Sequence, residues 1–146
     1  MGYGNAIQKN SLGYNDGFEA RVGANSVAFL PGDFLTGSTE FVTLAATGET
    51  IVGVCASQIT MASDNQTVAR NKVSYTPTSA KETYNVPILG GTITTADINK
   101  YYDITLTQVV DGSTENTTTG QLQLVDLLLA PSGATMGLGK FKIANL

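Results

Sequence analysis

Two runs of alternating apolar and polar residues, joined by a polar segment, occupy the stretch from Tyr101 to Leu129. The first run places Ile104, Leu106 and Val110 on one face and Thr105, Thr107 and Val109 on the other. The return run places Leu122, Leu124 and Leu128 opposite Gln121, Gln123 and Val125. A period of two residues is that of a half-buried β-strand. The stretch therefore predicts a long β-hairpin whose connecting loop contains the turn-forming pair Asp111 and Gly112.

Short apolar runs separated by Gly or Pro turns fill most of the chain from Ser26 onward. Their spacing of about 8–12 residues is typical of a β-sandwich or barrel. Pro31-Gly32 predicts a type II turn, because Pro fixes φ at the second turn position and Gly accepts a positive φ at the third. Gly53 lies inside an apolar run and predicts a bulge or a close backbone approach.

The end of the chain predicts one more strand, and residues 95–100 predict the one helical turn. In the last strand we expect Phe141 and Ile143 to face inward and Lys140 and Lys142 to face outward. Thr95 is a suitable N-cap for a single helical turn over Ala96 to Lys100, because its hydroxyl can accept a hydrogen bond from a free amide.

These patterns predict an all-β protein, a single antiparallel β-sandwich or barrel with an extended N-terminal arm. Residues 1–25 are rich in Gly, Asn, Tyr and Ser and have no apolar period, so we assign them to the arm. Residues 26–146 form the predicted β domain. No internal sequence repeat is convincing.

The composition of the 146 residues excludes several classes of function. The chain has no His, so Ser-His-Asp, Cys-His and His-containing zinc sites cannot form. The eight basic residues are scattered along a chain of net charge −4, which argues against binding to nucleic acid. The sequence contains no run of 18 apolar residues, so it predicts no membrane span. The N-terminus lacks the charged-then-apolar order of a signal peptide. We expect neither catalytic residues nor a cofactor or metal.

Weaker chemical patterns remain as alternatives. The single cysteine, Cys55, lies in an apolar run and is expected to be a buried small side chain. Asp111 and Glu115 could hold Ca²⁺ together with oxygens of the same loop, but an exposed polar turn explains them better. Four carboxylates could act as acid and base, and they are Asp103, Asp111, Glu115 and Asp126. Four tyrosines could form a stacking face for sugars or bases, and they are Tyr75, Tyr84, Tyr101 and Tyr102.

Apolar side chains in the predicted arm are its candidate partner contacts. They are Tyr3, Ile7, Leu12, Tyr14 and Phe18. Draped over a neighbouring molecule, the arm would add contact area without enlarging the core. An arm folded back on its own domain is an equally good interpretation.

Several segments of residues 26–146 resemble small bacteriophage virion proteins, in particular head decoration or cement proteins. The chain shares with them a strand and PGD turn followed by a Thr-rich strand, then ETIVGVCAS, and a closing GKFKI strand. The most specific pieces are YYDIT at Tyr101–Thr105 and VDGSTENTTTGQLQLVD at Val110–Asp126.

The resemblance implies a β-rich structural protein that is made in the host cytoplasm and then binds the outside of an assembled capsid shell. Its implied partners are the major capsid protein and neighbouring copies of itself, as in the trimers of some relatives, without direct contact with nucleic acid or membrane. It brings no catalytic residues. The alternative is a carbohydrate- or receptor-binding module of a phage fibre or surface protein, in which Tyr101 and Tyr102 would contact the ligand.

Overall fold

The prediction of an all-β protein is confirmed by a computed structural model, which describes residues 18–23, 27–37, 41–59, 72–79, 81–106 and 108–144. Within these ranges there are ten strands, one short 3-10 helix at Thr95–Asp97 and no α-helix. The strands are β1 Phe18–Val22, β2 Phe34–Gly37, β3 Phe41–Leu44, β4 Gly53–Cys55, β5 Lys72–Pro77, β6 Tyr84–Leu89, β7 Tyr101–Leu106, β8 Val109–Asn116, β9 Leu122–Leu129 and β10 Gly137–Ile143.

The strands form two closed barrels of five strands each, which belong to two compact units. Unit 1 comprises Met1–Ala45 and Val52–Thr78, and unit 2 comprises Ala46–Ile51 and Ser79–Leu146. The described residues thus group into two units, and the single β domain over residues 26–146 stays a prediction. The predicted boundary between arm and domain at residue 25 lies outside the described residues.

Unit 1 contains strands β1 to β5 in the cyclic order β1-β3-β2-β4-β5. β1 runs parallel to β3, and the other neighbours are antiparallel. Its core consists of buried side chains from all five strands and from the connection between β1 and β2, and they are Ala20, Val22, Phe29, Leu35, Val42, Cys55, Val73 and Tyr75. Strand β1 begins within the range assigned to the arm, so residues 18–22 are paired barrel backbone.

Unit 2 contains strands β6 to β10 in the cyclic order β6-β8-β7-β9-β10. β6 runs parallel to β8, and the other neighbours are antiparallel. Its buried apolar side chains include Val86, Ile88, Tyr102, Ile104, Val110, Leu122, Leu124, Phe141 and Ile143.

The two barrels have the same strand order when each is numbered from its own first strand. In both, the first and third strands form the parallel pair, and the remaining neighbours match as well. The register also corresponds: Phe18–Tyr75 matches Tyr84–Phe141, Val22–Val42 matches Ile88–Val110, and Cys55–Tyr75 matches Leu124–Phe141. The fold is therefore an internal structural repeat, although the sequence shows no convincing repeat.

The predicted hairpin over residues 101–129 is wrong in its connection. Asp111 and Gly112 do not form a turn but lie within β8, which pairs antiparallel with β7. The first and return runs do pair, since Tyr101 lies opposite Gln123 and Tyr102 lies opposite Leu122. The segment predicted as a loop is thus a third strand, because Thr and Ser make the polar stretch compatible with an extended backbone.

Other local predictions hold. Gly32 has φ of 99°, and the N–H of Asp33 donates to the carbonyl of Leu30, as the Pro31-Gly32 turn requires. The helical turn is one residue out of place, with Thr94 as the N-cap of a 3-10 helix at Thr95–Asp97. In β10, Phe141 and Ile143 are buried while Lys140 and Lys142 are partly exposed.

The connection between β3 and β4 belongs to unit 2, where the buried side chain of Gln121 holds it. The Gln121 Nε2 donates to the carbonyl oxygens of Ala46 at 2.9 Å and Glu49 at 2.7 Å. The hydroxyl of Thr47 donates to the carbonyl of Ile104 at 2.7 Å. Gln121 was predicted on the polar face, and its burial is explained by these partners.

No helix of the described residues has the length and apolar character needed to cross a membrane.

Candidate interaction surface

Four of the five arm residues predicted to contact a partner, Tyr3, Ile7, Leu12 and Tyr14, lie outside the described residues. The fifth, Phe18, is the first residue of β1, and its backbone lies opposite Tyr75 of β5. The role of these five residues as partner contacts therefore stays a prediction.

The predicted stacking face of tyrosines does not form. Tyr75, Tyr84 and Tyr102 are buried, and only Tyr101 is partly exposed. The Tyr102 ring meets Phe141 edge to face, with centroids 6.2 Å apart and planes at 84°. Burial, together with the nearby Glu115 carboxylate, raises the pKa of Tyr102 to about 12. Tyr102 is a core residue, so it cannot stack on a ligand in solvent.

The acidic residues of the 103–116 region are engaged in local hydrogen bonds. Asp103 and Asp111 lie opposite each other in β7 and β8. Asp103 accepts a hydrogen bond from the N–H of Gln121, and Asp111 accepts from the N–H and hydroxyl of Ser113. In the part of the chain that the structure describes, no three Asp, Glu or Cys side chains gather into a metal site.

Lys100 joins the helical turn to β8 through two carboxylates. Its Nζ lies 2.8 Å from Asp97 Oδ1 and 2.6 Å from Glu115 Oε1. Asp97 also accepts a hydrogen bond from the Thr94 N–H at 2.8 Å and so completes a capping box. The hydrogen bond from Lys100, followed by that from Thr94, lowers the pKa of Asp97. The hydrogen bonds to both carboxylates, that to Asp97 first, raise the pKa of Lys100. Through Lys100, these ion pairs connect the 3-10 helix to β8 within unit 2.

Cys55 lies in the core of unit 1, as its apolar surroundings predicted. Its Sγ donates to the carbonyl of Ser57 at 3.0 Å. Burial raises the pKa of the thiol, which disfavours the reactive thiolate.

An apolar surface lies on the outside of unit 2, where β6, β10 and β9 are neighbours. In the register of the sheet, Leu138 lies between Pro87 on one side and Leu129 on the other. Leu129 is 56% exposed, which is the largest exposure among the big apolar side chains of the described residues. Leu128 and Met136, beside this row, are also exposed. We call these five residues the apolar face.

Two irregularities in β9 turn its leucines outward. The pairing of β9 with β10 shifts at Val125 and again at Leu128, each of which is an extra residue on β9. Such a bulge changes the direction of the side chains that follow it. Leu122 and Leu124 face the core as predicted, but Leu128 is exposed rather than inward-facing.

The next row of the same surface is charged. Lys140 of β10 lies between Asn85 of β6 and Asp126 of β9. Asp126 is exposed and Lys140 is partly exposed, and neither forms an ion pair with a described residue. The surface therefore combines an apolar row with a row that carries one acid and one base.

Alternation alone does not predict this surface, because it places Leu122, Leu124 and Leu128 together on one apolar face. A signal was available: Leu127, Leu128 and Leu129 are consecutive, and strict alternation cannot bury all three on one face.

Comparison with known proteins adds no relative. No family model matches the chain, and neither a curated protein nor a solved structure shows significant similarity.

Proposed function

We propose that this chain is a structural virion protein that decorates and stabilises a bacteriophage capsid shell. In this proposal the contacts are made by the surface of the barrels and by the N-terminal arm. The partners are the major capsid protein and neighbouring copies of the same chain, on the outside of the shell.

The observation that carries the proposal is the exposed apolar face of unit 2. A contiguous apolar patch on the surface of a soluble protein often marks a contact with another macromolecule. Leu128 and Leu129 are exposed on the bulged strand β9, whose neighbour β10 contributes the half-buried Leu138. The face is convex strand surface rather than a cleft, so it suits a protein surface better than a small ligand.

The resemblance to head decoration proteins supports the same function. It rests on Tyr101–Thr105 and Val110–Asp126, which contribute β7, β8 and the start of β9 to one barrel. These segments build the wall of unit 2 rather than a reactive site, as a structural role requires.

Cosedimentation with phage heads that lack this protein tests the proposal. We expect saturable binding at a fixed number of copies per shell subunit, and no binding to any form of the shell would contradict it. Binding should be measured with phage heads both before and after the shell expands. A decoration protein is expected to reinforce the completed shell and therefore to bind the expanded heads.

The arm is tested separately in the full chain by replacing Tyr3, Ile7, Leu12 and Tyr14 with Ser. At ~25 cal/mol per Å² of apolar area, these side chains together contribute several kcal/mol, less the entropy of ordering the arm. We expect weaker binding to the heads. The matched control replaces Asn5 and Asn10 with Ser, and equal binding by the two variants would remove the arm from the proposal.

The alternative of a carbohydrate-binding module is less well supported. It needs exposed aromatic rings, and three of the four tyrosines proposed for it are buried. Tyr101→Ala is the informative substitution, since Tyr102→Ala would damage the core whatever the function.

A further inference from the structure

We propose that the apolar face of unit 2 binds the same face of a second copy of this chain, in a two-fold symmetric contact. The inference deepens the proposed function by naming the occupant of this surface. Its test uses the free protein, so a failure to self-associate and a failure to bind phage heads are separate results.

The internal repeat supplies the first argument, because it allows register positions of the apolar face to be compared with the corresponding positions of unit 1. The register pair Arg21 and Lys72 of β1 and β5 corresponds to Pro87 and Leu138 of β6 and β10. Two basic residues thus occupy the position in one barrel, and two apolar residues occupy it in the other. The barrel fold itself therefore does not require apolar residues at this register position. Binding to another molecule explains why unit 2 has them.

The bulges of β9 supply the second argument. A regular strand would place alternate leucines in the core, whereas the extra residues Val125 and Leu128 leave Leu128 and Leu129 exposed. Bulges redirect side chains and are features of the fold rather than defects. Burying Leu129 against a partner recovers the hydrophobic free energy that the bulged strand leaves in water.

The charged row identifies the occupant. Asp126 and Lys140 lie side by side on neighbouring strands of this surface. A two-fold axis that runs parallel to β9 and β10, midway between them, places Asp126 of each copy opposite Lys140 of the other, so the two charge pairs form together. In the same arrangement, the apolar row of one copy contacts the apolar row of the other. A surface with one acid and one base beside an apolar row is complementary to itself. A second copy therefore provides an opposite charge for each charged residue and an apolar surface for the apolar row.

The size of the surface sets the expected strength. With a strand spacing of about 4.8 Å and a rise of about 3.3 Å per residue, three strands of seven residues cover roughly 350 Å². A standard stable complex buries about 800 Å² per partner. We therefore expect a reversible dimer whose population rises with protein concentration.

Sedimentation equilibrium of the full chain, from micromolar to millimolar concentration, measures this association. We expect the mass to rise from that of the 15.2 kDa monomer toward the dimer. Leu129→Glu removes one apolar contact per copy and should weaken dimerisation roughly a hundredfold. The matched control is Leu30→Glu, because Leu30 is 47% exposed in a turn of unit 1. Circular dichroism of each variant verifies that it is folded.

Charge exchange makes the test specific for the two-fold contact. Asp126→Lys and Lys140→Asp should each weaken the homodimer, because like charges then face each other. An equimolar mixture of the two variants should form a heterodimer, since every charge pair across the contact is again complementary.

Three results would overturn the proposal. The first is a monomer at every concentration, and the second is a dimer that Leu129→Glu leaves unchanged. The third is a mixture of the charge variants that associates no better than either variant alone.

Discussion

The side-chain oxygen of Gln121 accepts a hydrogen bond from the backbone N–H of Ile104 at 3.0 Å. The amide nitrogen of the same side chain donates to two carbonyls of the β3–β4 connection, those of Ala46 and Glu49. Gln121 is 1% exposed, so all three bonds are shielded from water. A single glutamine therefore satisfies backbone groups of two chain segments within unit 2.

We expect Gln121→Leu to lower the free energy of unfolding by about 2–4 kcal/mol, because it leaves buried backbone groups without partners. Urea denaturation followed by circular dichroism measures the loss. The matched control is Gln123→Leu, since Gln123 makes one exposed hydrogen bond to the Asn99 carbonyl. If both substitutions cost the same, the bridge has no special role in stability.

Gly53 is expected to resist substitution by Ala. A Cβ at this position would lie 3.0 Å from Cε2 of Tyr75 and 3.1 Å from the carbonyl oxygen of Thr76, and nearer still to Cδ2 of the ring. Gly53→Ala should destabilise the protein by about 1–3 kcal/mol, the usual range for overpacking. The control is Gly48→Asn, where nothing lies within 4 Å and Asn accepts the φ of 82°. Equal thermal stability of Gly53→Ala and the wild type would show that the ring moves freely.

The Asp97 carboxylate should make stability depend on pH at the acid end. Its pKa in the folded protein is lowered by Lys100 and Thr94, relative to about 3.9 in the unfolded chain. The stabilisation is therefore fully present above that unfolded value, and it is lost as the pH falls through the lower folded value. We expect Asp97→Asn to cost about 1 kcal/mol at neutral pH, as for other capping side chains, and progressively less in acid.

Free energies of unfolding at several pH values test this expectation. Asp126→Asn is the control, measured at a protein concentration at which the chain is monomeric, because the Asp126 side chain is exposed and makes no hydrogen bond with the described residues. A difference between Asp97→Asn and wild type that stays constant down to strongly acid pH would refute the role of the ionised carboxylate.

Cys55 should react slowly while the protein is folded. The thiol is 1% exposed, donates to the carbonyl of Ser57, and has its pKa raised by burial. We expect an aromatic disulfide reagent at mildly alkaline pH to react at least about a hundredfold more slowly with the native protein than with the urea-unfolded protein. A native rate close to the unfolded rate would mean that unit 1 opens readily around this residue.

Local chemistry made much of the fold predictable. Pro31-Gly32 specifies its turn through the φ values that the two residues allow, and Phe141 and Ile143 follow from alternation alone. Gly53 was correctly marked as a close approach, although the ring that approaches it comes from a strand distant in the sequence. These positions are decided by their own residue type, so no tertiary information was needed.

Positions decided by other segments were not predictable. Gln121 looked like a surface residue because the carbonyls that it binds are more than 70 residues away in the chain. Leu128 looked like a core residue because a bulge changes alternation without a clear residue signature. Asp111 and Gly112 form part of a strand instead of the predicted loop because of contacts with another segment. Pairing of β8 with β7 outweighs the turn preference of this dipeptide.

The internal repeat was hidden for a related reason. Only inward positions are constrained to be apolar, and many apolar residues satisfy that requirement equally well. Phe141 therefore replaces Tyr75, and Leu124 replaces Cys55, at corresponding register positions. Outward positions are free to differ, and it is there that unit 2 acquired the candidate contact surface.

Closure of the two barrels restricts how any partner can recognise this protein. Each of the ten strands has another strand as its neighbour on both sides. An incoming peptide therefore finds no strand with a whole side of free amides and carbonyls onto which it could extend the sheet. Recognition that leaves the barrels intact therefore has to use side chains on the barrel walls.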